Sequence, residues 1–399
     1  MELNDAKAAI EAHIDSLAPC LAKMSDALFD HPELGFREFY ACKLLTDALR
    51  SRGFEVETPY AGLETAFRAV WRNGTGGPNI GLLCEYDALP MGHGCSHHLQ
   101  GPSCIGAAVA LKERLIDVPY TVEVIGTPAE EIEDGGKTSM LANGAFRHHD
   151  IVLMMHGGNA CTTDIKSMAL SDFRVTYSGV SSHSAIAPDK GRSALEALML
   201  ASNGIAYLRG HVLDDTRMAM IVEEGGSAVN AIVDRAVARI ELRSYNRDYL
   251  DQVIARVENI LQGAALMTET TFDIVKIGEM HSKIPVLSLN DMLMKNARHI
   301  GARQIGEPRR KTGATDFASV MRLVPGSCIR TAFVPKGTPS HSQAYLDAGK
   351  SADAHRALAE AAKILSLTGV DLICEPENLR TVKADFADAM ERERTGRED

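Results

Sequence analysis

At 399 residues, 45% hydrophobic and 24% charged, the chain has an ordinary globular composition but exceeds the usual size of a single core, so two domains are predicted. Its net charge of −11 argues against nucleic acid or an anionic membrane as the main partner, while a pocket for a small molecule can still be locally basic. The eight cysteines are scattered without a Cys-x-x-Cys pair, and neither a leader-like N-terminus nor an apolar run near the ~20 residues of a membrane span is visible, so reduced thiols and a cytoplasmic location are expected.

Residues 5–29 place Ala9, Ile10, Ile14, Leu17, Leu21, Met24 and Leu28 at helical spacing. His31-Pro32-Glu33-Leu34-Gly35 interrupts the pattern, and 38–52 predicts a second helix ending near Gly53. Short apolar strands at 65–71, 80–84, 121–126 and 151–155 then alternate with helices through 105–115 and 137–142. Continuous apolar strands in such an alternation predict an α/β domain with a mostly parallel, buried sheet and functional residues at its strand ends.

From about Ser167 the texture changes to half-apolar strands at 170–177, 218–223, 231–243 and 270–277, with helices at 193–208 and 249–266. The order β-α-β-β-α-β predicts an inserted ferredoxin-like α+β domain over 167–281, with an edge strand open for pairing. After Pro285 the first texture returns in a helix at 290–299, an apolar segment at 317–320, a strand at 326–333 and a helix at 353–367. The first domain is therefore expected to be discontinuous, 1–166 with 282–399. The charged tail 391–399 lacks an apolar anchor and is expected to fray.

Chemistry concentrates at the predicted strand ends. After strand 80–84, the loop 85–98 holds Glu85, Asp87, His93, Cys95, His97 and His98 among Gly and Pro. After strand 121–126 come the adjacent carboxylates Glu130 and Glu131; after 151–155 comes His156; and a Gly-Thr-Pro-Ser turn carries His341. Each has a plain alternative: a buried thiol beside a turn histidine, an acidic helix start, or a hydrogen-bonded core histidine. Together, Cys95, His97, Glu131, His156 and His341 supply five N, S and O donors, enough for two metal ions sharing a thiolate.

The chain resembles the metal-dependent amidohydrolases and exopeptidases that include aminoacylases, indole-acetyl-amino-acid hydrolases and p-aminobenzoyl-glutamate hydrolase, in the Cys-ligand branch of the peptidase M20 family. The resemblance rests on Asp87-Ala88-Leu89-Pro90, Gly92-His93-Gly94-Cys95-Ser96-His97-His98, Pro128-Ala129-Glu130-Glu131, Ser182-His183-Ser184, Val229-Asn230-Ala231-Ile232 and Ser340-His341-Ser342, in order along nearly the whole chain. It implies that Cys95 bridges two divalent ions (Mn, Zn, Ni or Co), with His97 and His156 on one and Glu131 and His341 on the other. Asp87 would orient a ligand imidazole. Glu130 would be the general base, His183 would help bind the oxyanion across a dimer, and Asn230 and Arg243 would hold the substrate's carboxylate. For Arg243 the alternative is a surface salt bridge on a strand, and for Asp87 a turn before Pro90.

Three positions depart from the family pattern: Ser96 stands where Gly is usual, His98 where Asp or Asn is usual, and Val233 where Pro is typical. His98 is a candidate to line the substrate pocket or add a ligand. The expected reaction is hydrolysis of the amide of a small N-acyl or aminobenzoyl amino acid by a homodimer or larger homo-oligomer. Deamination of a small amino-aromatic acid is the alternative, and a non-catalytic metal-binding protein a third reading.

Overall fold

The computed structural model describes residues 3–132 and 135–395, and the chain divides into two compact units. The first comprises Met1–Lys166 and Lys283–Glu391; the second comprises Ser167–Ser282 with the tail from Arg392.

The first unit opens with the helices Leu3–Asp30 and Phe39–Ser51, followed by strands β1 (Glu55–Glu57), β2 (Phe67–Asn73), β3 (Asn79–Cys84), β4 (Tyr120–Gly126), β5 (Ile151–Gly158) and β6 (Thr162–Ser167). The second unit contributes β7 (Ala169–Ser178), β8 (Arg217–Glu224), β9 (Arg235–Ser244) and β10 (Thr271–Met280). The chain then returns for β11 (Arg309–Thr312) and β12 (Gly326–Ala332).

Eight strands form one sheet in the order β1-β2-β4-β3-β5-β12-β6-β11. Its centre is parallel: β3 runs with β4 and β5, and β5 with β12. Antiparallel pairs of β2 with β4 and of β12 with β6 flank it. Successive side chains of a strand face opposite sides, and both sides are apolar here. Leu82, Val124 and Leu153 join a core under the helices Leu3–Asp30, Gln100–Arg114 and Ala352–Cys374. Leu83, Ile125 and Met154 meet Phe146, Phe317 and Val320 beneath the short helices Gly136–Ala142 and Phe317–Met321. The four parallel strands therefore all deliver their C-terminal ends to one edge of the sheet, where ligands gather in open α/β folds.

The second unit is a four-stranded antiparallel sheet, β10-β7-β9-β8. Helices Ala194–Leu208 and Arg247–Thr268 share a core with Val175, Tyr177, Ala238 and Ile240 from the strands. Ser193 and Asn246 cap these helices, each side chain accepting the N–H three residues on. This is the expected ferredoxin-like arrangement.

Several elements differ from the sequence expectation. β1, β6 and β11 read as polar or charged segments because they are short and paired by their backbones rather than by apolar alternation. The tail also differs. Residues up to 395 continue the helix Pro376–Thr395, and Glu393 is buried, accepting hydrogen bonds from Ser282 Oγ (2.7 Å) and the Arg247 N–H (3.0 Å). A charged residue anchors the segment through polar contacts that an apolar pattern does not reveal. Residues 396–399 lie outside the described residues.

Candidate active site

Three loops at the parallel strand ends converge with His156, which lies on β5 itself. Cys95 Sγ lies 3.5 Å from His156 Nε2 and 3.3 Å from His341 Nε2. Ligand atoms of Cys95, His97 and His156 fall within 4.8 Å of one another, as do those of Cys95, Glu131 and His341. The two triples share Cys95. Glu130 Oε2 stands 4.0 Å from His97 Nε2, beside both.

The loops are held in conformations that cost energy. Ser96 (φ 71°), Ala129 (φ 61°) and His341 (φ 57°) all adopt left-handed backbone, one in each of three loops that carry candidate donors. Strain of this kind collects where the surroundings over-determine the geometry. Ser96, the departure from Gly, keeps the left-handed turn and donates its hydroxyl to the Cys95 carbonyl. Opposite it, a Cβ on Gly157 would stand 2.4 Å from Ser96 Oγ, so the added side chain is accommodated by a glycine on β5.

Hydrogen bonds orient the imidazoles. His97 Nδ1 bonds Asp87 Oδ1 (3.0 Å) and the Asp87 carbonyl (3.1 Å), turning Nε2 towards the cluster. Asp87 Oδ2 accepts the Glu131 N–H (2.9 Å), so one carboxylate ties two loops together. His156 Nδ1 lies 2.8 Å from the Gly157 carbonyl and 3.0 Å from Arg330 Nη1, contacts that fix the ring with Nε2 facing Cys95.

Burial shapes the proton affinities. Burial pushes the Cys95 thiol up to about 12 against the pull of His97. It also lifts Glu130 well above the usual carboxylate range, reinforced by the charges of Glu85 and Asp316. His156 is held well below the ordinary imidazole value by burial and then by Arg330 and His97. In His97, burial is outweighed by Cys95, Asp87 and Glu85, which raise it.

The donor set fits a divalent cation. His97 Nε2 and Glu131 Oε1 are buried without hydrogen-bond partners, a costly state for polar atoms that a cation relieves. A thiol and imidazoles around one point suit borderline metals, and only a cation offsets the charge of a thiolate as buried as that of Cys95.

A buried ion network lies beneath. Lys137 Nζ bridges Glu85 Oε1 and Asp316 Oδ1 at 2.6 Å each, all three essentially inaccessible. Glu85 Oε2 accepts from Gln100 (2.6 Å) and sits 3.3 Å from His97 Nε2. Glu38, also buried, accepts the Ala129 N–H and the Thr65 hydroxyl at 2.8 Å each, pinning the turn before Glu130. The roles of Lys137, Asp316 and Glu38 are not visible in the sequence pattern. The signal they leave is a charged residue at or just before the start of a helix.

Burial, with a smaller contribution from Asp87, raises Glu38 from 4.5 to about 7. The folded state thus binds this proton more tightly than the unfolded chain, so stability falls as pH rises from about 4.5 to about 7 and is flat above. Glu38→Gln is expected to flatten that slope by an amount on the order of 2–3 kcal/mol. Urea denaturation at pH 5 and pH 8 measures it, and an unchanged difference between the two would refute the assignment.

His98 departs from expectation. It is fully buried, its Nε2 bonds the Gly349 carbonyl (2.9 Å) and its ring meets Phe29 edge-on at 4.9 Å. It belongs to none of the donor clusters and does not line the cavity. Burial, followed by the charge of His93, holds it well below the usual imidazole value, as suits a neutral core side chain.

In the second unit, 182–184 runs beside 230–232, where Ser184 N–H donates to the Asn230 carbonyl (3.0 Å) and His183 bridges Ala231. His183 and Asn230 are both accessible there. Arg243 is elsewhere, on β9, in a bidentate pair with Glu241 (2.7 Å for both bonds). The structure thus places it in the strand salt bridge that was its alternative reading.

A Bacillus subtilis dinuclear metal-binding peptidase of the M20 family has the same fold, with a TM-score of 0.72 at 19% identity over 90% of this chain and 99% of that one. Residues 166–268 match the family model described as a peptidase dimerisation domain. Human Xaa-Arg dipeptidase is 33% identical over 94% of this chain and 90% of its own length. One of the polypeptides of the Escherichia coli p-aminobenzoyl-glutamate hydrolase is 32% identical over 70% of this chain and 62% of its own. The chain belongs to the M20 family of metal-dependent peptidases and amidohydrolases, hydrolases of C–N amide bonds. No helix among the described residues is long and apolar enough to cross a membrane.

Proposed function

We propose that this protein is a dinuclear-metal amidohydrolase that cleaves a small N-acyl or aminobenzoyl amino acid. The observation that carries the reading is the pair of donor triples sharing Cys95, with Glu130 beside them. Cys95, His97 and His156 would hold one ion, and Cys95, Glu131 and His341 the other. Manganese, zinc, nickel and cobalt all suit this set. When bound, such ions acidify water and polarise a carbonyl oxygen.

The remaining chemistry falls to the chain itself. Glu130 takes a proton from the attacking water and returns it to the leaving nitrogen, a task helped by its raised proton affinity. Asp87 keeps His97 in the tautomer that presents Nε2. Glu38 and Lys137 hold the loop and the carboxylates behind the base. His183, with Asn230, would assist from the second unit of a partner copy in a cytoplasmic homodimer, a reading supported by the match to a dimerisation domain. Arg243 can join in carboxylate binding only by leaving Glu241.

Removing the shared ligand is the direct test. Cys95→Ala is expected to lower bound metal from two ions per chain to one or none, read by elemental analysis after dialysis. Full occupancy in this variant would contradict the bridging role. Release of an amino acid rather than ammonia, measured separately, distinguishes amide hydrolysis from deamination.

A further inference from the structure

The cavity that holds the donor cluster, about 430 Å³, is also lined by Lys283, Arg309 and Arg330. All three converge on one carboxylate. Asp164, on β6, is buried and lies 2.9 Å from Lys283 Nζ, 2.7 Å from Arg309 Nε and 3.4 Å from Arg330 Nε. Burial alone would raise Asp164, yet the three cations hold it well below the usual range. Its negative charge is therefore already engaged.

Arg330, its side chain 20% exposed, forms the floor, with Nη1 3.0 Å from His156 Nδ1. Arg309 is the accessible member, its side chain 40% exposed, on the edge strand β11. Thr162 and Thr312 line the same wall, their hydroxyls donated to the Glu307 and Lys166 carbonyls. The acidic residues among the lining are Glu130 and Glu131, which belong to the donor cluster. A wall with three cations around one carboxylate, in a recess shielded from bulk water, attracts anions and rejects cations.

We propose that this wall is an anion subsite, and that the substrate carries a second carboxylate, on either the amino-acid or the acyl side of the scissile amide, seated against Arg309. The proposal rests on the amidohydrolase reading above and narrows its substrate class. It sets the chain apart from a dipeptidase that prefers a cationic residue, because an arginine side chain would meet like charge here. Arg309 Nε and Nη2 both contact Asp164 Oδ1 (2.7 and 2.6 Å), so the substrate carboxylate would meet the guanidinium at its remaining Nη1 edge.

The test compares metal-loaded protein on N-acetyl-glutamate, N-glutaryl-alanine, N-acetyl-alanine and N-acetyl-arginine by amine release, with calorimetric binding of glutarate as a readout independent of turnover. One of the two dicarboxylates is expected to exceed N-acetyl-alanine at least tenfold in kcat/KM, and N-acetyl-arginine to be the poorest. Which dicarboxylate wins assigns the wall to the amine or the acyl side. Arg309→Gln should collapse the ratio and weaken glutarate binding about tenfold, and Arg309→Lys should restore part of both. Equal or better turnover of N-acetyl-arginine, or glutarate binding and substrate ratios unmoved by Arg309→Gln, would overturn the subsite. Arg309-dependent glutarate binding without hydrolysis of any compound would uphold the subsite and sink the amidohydrolase reading instead.

Discussion

Glu130→Gln is expected to lower kcat/KM by about 10²–10⁴-fold, the contribution of a positioned general base, while bound metal and the unfolding transition stay as in the parent. The side chains are nearly the same size, and Glu130 makes none of the hydrogen bonds that pin its turn; those belong to Glu38 with Ala129 and to Asp87 with Glu131. What is lost is the proton acceptor. Burial and the neighbouring Glu85 and Asp316 raise its proton affinity above the usual carboxylate range. Steady-state kinetics and elemental analysis on the same preparation provide the measurement. Turnover within about threefold of the parent would remove Glu130 from the mechanism.

Lys137→Met is expected to destabilise the first unit by roughly 3–5 kcal/mol, the cost of breaking a buried ion pair from one side. Lys137 Nζ sits between Glu85 and Asp316, and its backbone N–H donates to Asp316 as well (3.0 Å). Without the ammonium, two inaccessible carboxylates face each other, with Glu130 within 4.8 Å. A buried charge that cannot be paired takes up a proton or opens the structure. The triple replacement Lys137→Met, Glu85→Gln, Asp316→Asn should recover much of the lost stability, since it removes the stranded charges along with their partner. Chemical denaturation of the two variants decides it; a single variant as stable as the parent would show that the network carries no net stabilisation.

Much of this architecture is legible from local pattern. The strands 80–84, 121–126 and 151–155 are apolar without alternation because both faces of the sheet are covered, and that periodicity belongs to the strand itself. The alternation in β7 and β9 marks a sheet with helices on one face. Elements whose partners lie far along the chain were harder to read. β6 and β11 are polar segments that become strands only because β12 and its neighbours offer open backbone. The end of the helix Pro376–Thr395 is anchored by Glu393 to Ser282, a contact spanning more than a hundred residues.

The candidate site divides the same way. Cys95, His97, Glu130, Glu131, His156 and His341 stood out because reactive side chains rarely recur at successive strand ends of one sheet without shared work. Residue type and position relative to a strand suffice for that inference. The fate of His98 depended on where Phe29 and Gly349 fall, and the motif does not contain them. Likewise, Arg243 and Glu241 are two apart on one strand, and only their side-chain geometry makes them a bidentate pair. Periodicity and motif order are properties of neighbouring residues, so the chain alone determined the α/β class and the candidate donors that the fold brings together. Burial, the Lys137 network and the cationic wall of Lys283, Arg309 and Arg330 bring together residues up to 179 positions apart. Only the folded core decided them, because electrostatic energy depends on distance in space and on exclusion of water.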